Sequence, residues 1–365
     1  MNNCQDVVFQ LLKVALGNSD HVNYVSELVD WKMVMNLVLN QGIVGICFDA
    51  FCHIPRSARP DDKLFIKWMG QTLLMEERYR KYEETIIKLS EIAHNLGMKM
   101  LVLKGYGCSR NYPQPKYRPC GDIDIFLISE NGIHSAGMMQ HFETYLENTK
   151  GIKVNAPNAH HTQFEFQQFL VENHATILDV DAHKSSIYLN NLLEDLALSA
   201  EPLTIRDTQV WLPSVRFNSI HLLRHMANDF ASVNTTIRNV LDWATFIETH
   251  EIDWPFVHKV ADKANMNHFL DAINGICVNT LGYSAHKFPI EIKDGIMEHK
   301  VLKEILTCSD RQEHPQSGDS FMERLSYDFR KAHRMWRNSW KYQIVYNESL
   351  LESFLWKVKS RMKAH

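Results

Sequence analysis

The stretch Gly121-Asp122-Ile123-Asp124-Ile125 alternates acidic and apolar residues. Successive side chains of a strand point to opposite faces, so Asp122 and Asp124 share one face, about 6–7 Å apart. Ile123 and Ile125 take the opposite, buried face. Two carboxylates fixed this way can share divalent cations, because Mg²⁺ takes oxygen ligands, commonly one or two carboxylates plus substrate phosphates. Metals so held suit an in-line phosphoryl displacement. An isolated pair of this kind is often no more than two solvated acids at a strand end, but here the neighbours add to it. The apolar run Met98-Lys99-Met100-Leu101-Val102-Leu103 ends in Lys104-Gly105. Lys104 supplies positive charge, and Gly105 lets the backbone approach a phosphate closely. Gly121 directly precedes the first acid. Pro113, Pro115 and Pro119 stiffen the connection, and Arg118 carries the planar fork that grips anionic oxygens in pairs.

The elements that must hold these residues differ along the chain. The first hundred residues read as helical. Val8, Leu11, Leu12 and Ala15 recur at helical spacing, and Trp31 to Phe51 is a second apolar stretch interrupted at Gly42 and Gly45. Pro55 to Pro60 breaks the pattern. Met75, Tyr79, Tyr82, Ile86, Leu89, Ala93 and Leu96 then step by fours and threes, the seam of one packed helix, and Gly97 suits a left-handed helix end. Strands are expected at 98–103, 122–127, 152–155, 162–167 and 176–181, with Trp211-Leu212-Pro213 closing this section. Helical spacing returns at Arg216 and continues to about Thr280. The stretch 309–318 is a breaker, and the last stretch is aromatic and basic. The expected fold class is therefore α+β: a small mixed-sheet core at 98–214, flanked by helical regions at 1–97 and 215–365.

The order Lys104-Gly105, Tyr112-Pro113, Arg118, Gly121-Asp122-Ile123-Asp124 resembles the bacterial family of uncharacterised nucleotidyltransferases, within the DNA polymerase β-like nucleotidyltransferase superfamily. Val180-Asp181-Ala182-His183 matches that family's Asp-x-His segment. Ile237 to Ala244 matches its helical Arg…Asp-Trp segment, and Ile252-Asp253-Trp254 also fits. The similarity runs from about Ser26 to Gly282. It implies a nucleotidyltransferase core that binds a nucleoside triphosphate with Mg²⁺ and moves its nucleoside monophosphate to an acceptor hydroxyl, releasing pyrophosphate. Asp122, Asp124 and Asp181 would be the catalytic, metal-holding acids. Lys104, Gly105, Arg118 and Gly121 would hold the triphosphate. Asp179 shares a face with Asp181 and His183 if a strand runs that far, so it stays the alternative third acid. Two positions depart from the pattern. Tyr106 and Gly107 follow Gly105 where the superfamily usually has Gly followed by Ser or Gly, and Lys184 follows His183 where an aromatic residue is usual.

Other constellations are weaker. His160-His161 and His174 lack a zinc-like ligand spacing and read as solvated loop histidines. His221 and His225 lie four apart on a helix without the Glu of a zinc-protease motif, so a helix-face pair inside a bundle is expected. Arg238 and Asp242, also four apart, suggest a local ion pair. The tail residues Arg330, Lys331, Arg334, Arg337, Lys341, Lys357, Lys359, Arg361 and Lys363 suggest a solvated helix face whose tryptophans pack inward. Lys and Arg number 39 against 43 Asp and Glu, a net charge of −4, which disfavours a nucleic-acid partner without excluding one. Seven cysteines without a CxxC argue against a disulfide framework and fit a reducing cytoplasm. No apolar run reaches the roughly 18 residues of a membrane span. A rival function is a non-catalytic nucleotide-binding or interaction protein on the same fold.

Overall fold

Helix dominates the chain up to residue 95. A computed structural model describes residues 3–156, 160–181, 183–232, 235–291, 293–307, 336–353 and 355–356. The helices α1 (Asn3–Ala15), α2 (Trp31–Asn40) and α3 (Val44–Asp49) come first. Gly42, at φ 66°, makes the turn between α2 and α3. The long helix α4 (Asp62–Asn95) starts upstream of the apolar seam, where the Asp61 carboxylate accepts from the Leu64 amide at 2.9 Å. It stops before Gly97, whose φ is 72°. Tyr82, Ile86, Leu89 and Ala93 of the seam are fully buried.

Six strands then form one mixed sheet: β1 (Met98–Val102), β2 (Ile123–Ser129), β3 (His161–Phe166), β4 (Phe169–His174), β5 (Glu201–Ile205) and β6 (Thr208–Leu212). Their spatial order is β3-β4-β2-β1-β6-β5. The central β1 and β2 are antiparallel, while β4 runs parallel to β2 and β6 parallel to β1. Between them lie α5 (Tyr106–Ser109), α6 (Ala136–Lys150) and α7 (Lys184–Ala197). Helices α8 (Val215–Ser232), α9 (Ile237–Thr249), α10 (Trp254–Lys263), α11 (Asn267–Gly275), α12 (Gly295–Thr307) and α13 (Ser339–Tyr346) follow. The expected α+β class, a mixed sheet with helices before and after it, is what the chain adopts. Among the described residues no helix is long and apolar enough to cross a membrane.

Strand alternation splits the sheet into two faces. Met100, Val102, Ile123, Ile125 and Leu127 pack with the C-terminal half of α4 and with α6. Leu101, Phe126 and Ile128 join the other core, which the N-terminal helices share with α8, α9 and α11. Asp124 lies on this second face, so its carboxylate points toward the helices that follow the sheet. Gln41 ties the first helices to the last ones. Its Oε1 accepts from the Ile237 amide at 2.8 Å and its Nε2 donates to the Ile305 carbonyl at 3.1 Å, all buried.

Several expectations need correction. Residues 176–181 are bends and a turn, not a strand; the strand beside β2 is β4, just upstream. The β3–β4 hairpin turns on Gln167 and Gln168, with φ of 48° and 69°. Two-residue turns of this kind are usually marked by Asn-Gly or Asp-Gly, so Gln-Gln concealed it. After β4, Thr176 Oγ1 donates to the Leu178 carbonyl at 2.9 Å, and the Leu178 amide donates to Asn190 Oδ1 at 3.1 Å, which fixes a loop against α7. The expected strand at 152–155 contributes only a bridge from Asn155 to Gln163. The edge strand β5, which carries Pro202, has no clear signal of its own. In the tail, Trp336 is exposed, whereas Lys341 is buried on Glu304 at 2.7 Å. Arg330, Lys331, Arg334, Lys357, Lys359, Arg361, Lys363 and the segment 309–318 lie outside the described residues.

Asp242 does not receive a local ion pair from Arg238. Arg118 reaches it from the proline-rich connection, Nε to Oδ1 at 2.9 Å and Nη2 to Oδ2 at 2.7 Å. The Tyr112 hydroxyl also donates to Oδ1 at 2.8 Å. Burial opposes the charge on Asp242, but Arg118 outweighs it and holds the carboxyl below its usual range. The pair clamps the connection before β2 onto α9. Removing one partner of a buried pair strands the other's charge, so Asp242→Ala is expected to cost about 3–5 kcal/mol, read as a lower midpoint in urea denaturation.

Candidate active site

The backbone that carries Asp122 is held by α4. Arg78 Nε donates to the Cys120 carbonyl and Nη2 to the Gly121 carbonyl, both at 3.1 Å. One turn on, the Tyr82 hydroxyl donates to the Asp122 carbonyl at 2.8 Å. Arg78 and Tyr82 also pack on Phe169 at the start of β4, with the guanidinium 4.6 Å and the phenol ring 5.3 Å from its ring centre. Gly105 makes this possible. Its φ is 59°, and a Cβ there would collide with the Tyr82 hydroxyl. The glycine therefore serves the packing of α4 on the acidic loop. Gly121 is exposed, with open space where a side chain would be.

Asp122 is exposed at the start of β2, whereas Asp124 is only 2% exposed. Asp124 Oδ1 faces Lys104 Nζ at 3.3 Å and His174 Nε2 at 3.0 Å. Burial alone would raise its pKa, but Lys104 and then His174 reverse this and hold the carboxyl well below the usual range. Burial likewise opposes the charge on Lys104, yet Asp124, Asp122 and Asp229 outweigh it and raise its pKa. The ammonium of Lys104 thus belongs electrostatically to all three acids.

A third acid stands beside Asp124. Glu172 of β4 is its register partner across the parallel β2–β4 pair. One ligand atom each from Asp124, Glu172 and His174 lies within 4.8 Å of the others, a spacing that can hold one metal ion. His174 adds a second sign of fit. Both its ring nitrogens face acceptors, Asp124 at Nε2 and the Thr176 carbonyl at Nδ1, 3.3 Å away. A metal at Nε2 would leave an Nδ1–H directed at the carbonyl, the arrangement that orients a ligating histidine. The carboxylates are hard ligands that suit Mg²⁺ or Mn²⁺.

Behind these residues a cavity of about 220 Å³ runs between the sheet and α8. His160 and His161 line it and are not solvated loop residues. The His160 ring lies 4.9 Å and the His161 ring 5.6 Å from that of His174. From α8 come His221, His225 and Asp229, with His225 Nε2 3.3 Å from Asp229 Oδ2. Burial pushes His160 and His221 down to about 3, so both are neutral at neutral pH. The charge of Lys104, then burial, lowers His225 well below its ordinary value. A larger cavity of about 670 Å³ lies between α11, α12 and α13 and includes none of these residues.

Two expected site residues sit elsewhere. Arg118 does not line the cavity, and its fork is committed to Asp242. Asp181 is exposed on the turn after β4, where its amide donates to Asp179 Oδ1 at 3.0 Å. Asp179 lines the cavity and Asp181 does not. The histidine of the Asp-x-His segment is a structural tether. His183 caps α7 through Ser185, bonds Glu348 at 3.0 Å and stacks on Tyr346 at 4.0 Å.

The model of the family described as uncharacterised nucleotidyltransferase matches residues 27–282, more than two thirds of the chain. The chain belongs to the uncharacterised nucleotidyltransferase family. The matched range of this nucleotidyltransferase family member holds every strand and the helices α2 to α11. No curated protein matches the chain. Among solved structures, an antigenic nucleotidyltransferase-like protein from Paracoccidioides brasiliensis is 12% identical, with a TM-score of 0.36 over 57% of this chain and 97% of that one. This likeness is too distant to transfer any residue's role.

Glu172 and Asp229 carried no signal strong enough to find by spacing alone, although Asp229 follows His225 by one helical turn. Burial raises Asp229 to about 6, only partly offset by Lys104. A carboxyl with a raised folded pKa binds more protons folded than unfolded between about pH 4 and 6, so stability falls as pH rises through that window. Asp229→Asn removes the effect. The variant is expected to match the parent near pH 3.5 in urea denaturation. Above pH 6 it should exceed it by about 1 kcal/mol, a modest gain because the side chain keeps 32% of its surface exposed.

Proposed function

We propose that the chain transfers a nucleoside monophosphate from a nucleoside triphosphate to an acceptor hydroxyl and releases pyrophosphate. The observation that carries this is the buried Asp124 carboxylate, aligned with Glu172 and neighboured by Asp122, in a chain of the nucleotidyltransferase family. Asp122, Asp124 and Glu172 would hold Mg²⁺, which supplies charge neutralisation for the phosphates and the departing pyrophosphate. We assign the third ligand to Glu172 because Asp181, the choice by resemblance, sits on an exposed turn, with Asp179 nearer the cavity.

Lys104 holds the cation position beside Asp124 in the absence of substrate. With a triphosphate bound, its ammonium would turn to a phosphate oxygen. The acceptor oxygen attacks the α-phosphorus, and the bond from that phosphorus to the bridging oxygen of pyrophosphate breaks. Asp229, paired with His225 and raised to about 6 by burial, is the base available for the hydroxyl proton. The Arg78 and Tyr82 bonds keep the acidic loop rigid, which favours a fixed arrangement of the reacting groups.

One observation favours a second role, nucleotide binding without turnover. Lys104 already neutralises Asp124, and Arg118 is spent on Asp242. Transfer from radiolabelled triphosphates, scored across hydroxyl acceptors including the protein's own side chains, separates the two. Asp122→Asn and Glu172→Gln are expected to lower transfer at least ~10³-fold with the fold retained, while Asp181→Asn stays within about threefold. Loss at Asp181 with retention at Glu172 would return the third acid to Asp181. Wild-type transfer by Asp122→Asn would sink the assignment, and metal-dependent binding without any transfer would favour the second role.

A further inference from the structure

The cavity beside Lys104 and His174 also reaches Arg224 on α8. Arg224 is 2% exposed, and no carboxylate pairs with it among the described residues. Its Nη2 donates to Ser186 Oγ at 2.9 Å, and its guanidinium lies 5.0 Å from the Tyr346 ring centre. Both partners are neutral. Its Nη1 is buried with no hydrogen-bond partner among the described residues, and the same holds for Nδ1 of His221, one turn earlier and 3% exposed. A buried charge without a counter-charge is among the costliest groups a fold can keep.

The cavity's own acids are engaged elsewhere. Glu172 accepts from Gln163 at 2.8 Å, Asp179 from the Asp181 amide at 3.0 Å, and Asp229 lies 3.3 Å from His225. What fits an unpaired guanidinium edge with a second unpartnered nitrogen lining the same cavity is a compact anion with several oxygens, and a phosphate group meets that description. Lys104, which lines the same cavity, lies 3.3 Å from Asp124 and connects this place to it.

We infer that Arg224 and His221 form an oxyanion pocket for a phosphate group of a bound ligand whose reacting part lies at Asp122 and Asp124. Only the last clause rests on the nucleotidyl-transfer function; the pocket itself rests on the two unpartnered nitrogens. The phosphate is either the terminal one of the nucleotide or one carried by the acceptor.

Calorimetric titration of the full chain with inorganic phosphate tests this. Arg224→Gln is expected to weaken phosphate binding at least ~10-fold, Arg224→Lys and His221→Phe by less, and Asp181→Asn, outside the cavity, not at all. If Arg224→Gln fails to fold by circular dichroism, Arg224→Lys and His221→Phe decide. Phosphate affinity unchanged in every folded pocket variant overturns the pocket, as does no binding to the wild-type chain at millimolar phosphate. Repeating the titration with saturating Mg²⁺ and ATP separates the sources. Competition assigns the pocket to the nucleotide's tail, and simultaneous binding assigns it to a phosphorylated acceptor. If Mg²⁺ and ATP fail to bind while phosphate binding persists, nucleotidyl transfer falls and the pocket stands.

Discussion

A carboxylate buried at 2% exposure cannot stay charged without a cation beside it, and Asp124 is such a carboxylate. It lies near the middle of the sheet, on the face turned toward α8. Lys104 from the end of β1 supplies the compensating charge, and His174 from the end of β4 lies within hydrogen-bond distance of the same oxygen. This single requirement brings three neighbouring strands to one point. It also makes the site exchangeable. In the proposed reaction a divalent ion would take the position that the ammonium fills, once a polyphosphate drew the ammonium away.

The rest of the fold keeps that point in place. On one side α4 grips the acidic loop through Arg78 and Tyr82, and Gly105 leaves room for the Tyr82 hydroxyl to do so. On the other side Arg118 and Tyr112 lock the preceding connection onto α9 through Asp242. Asp122, between these two anchors, is therefore exposed on a loop whose backbone is fixed. Helix α8 closes the remaining side with a row of His221, Arg224, His225 and Asp229, the residues through which the helical region meets the sheet. Placing charged and neutral titratable groups around one buried ion pair sets their protonation apart: Lys104 charged, His221 neutral, Asp229 titrating near 6.

Much of this was legible in the sequence. The alternation of Asp122 and Asp124 with isoleucines gave both their shared face and their strand. The seam from Met75 to Leu96 and the stop at Gly97 gave α4. The ordered motif gave the family. What was hidden depended on long-range partners. Arg118 looks like a phosphate ligand until Asp242, 124 positions away, is seen to fill its fork. Gly105 looks like a phosphate-approach glycine until Tyr82 occupies the space above it. Glu172 stayed unseen because Gln167-Gln168 adopts left-handed turn geometry without the residues that usually announce it, which displaced the strand reading to 176–181. His160, His161 and His174 look like loop residues until the β3–β4 register stacks them.

The central claim is that the acids around Lys104 bind a divalent cation. Titration of Mn²⁺ into the full chain, with and without ATP and followed by electron paramagnetic resonance, tests it most directly. The account predicts saturable Mn²⁺ binding that ATP strengthens and that Asp124→Asn abolishes in a variant still folded. Mn²⁺ binding with equal affinity to the parent and to Asp124→Asn, or no binding to either in the presence of ATP, would contradict it.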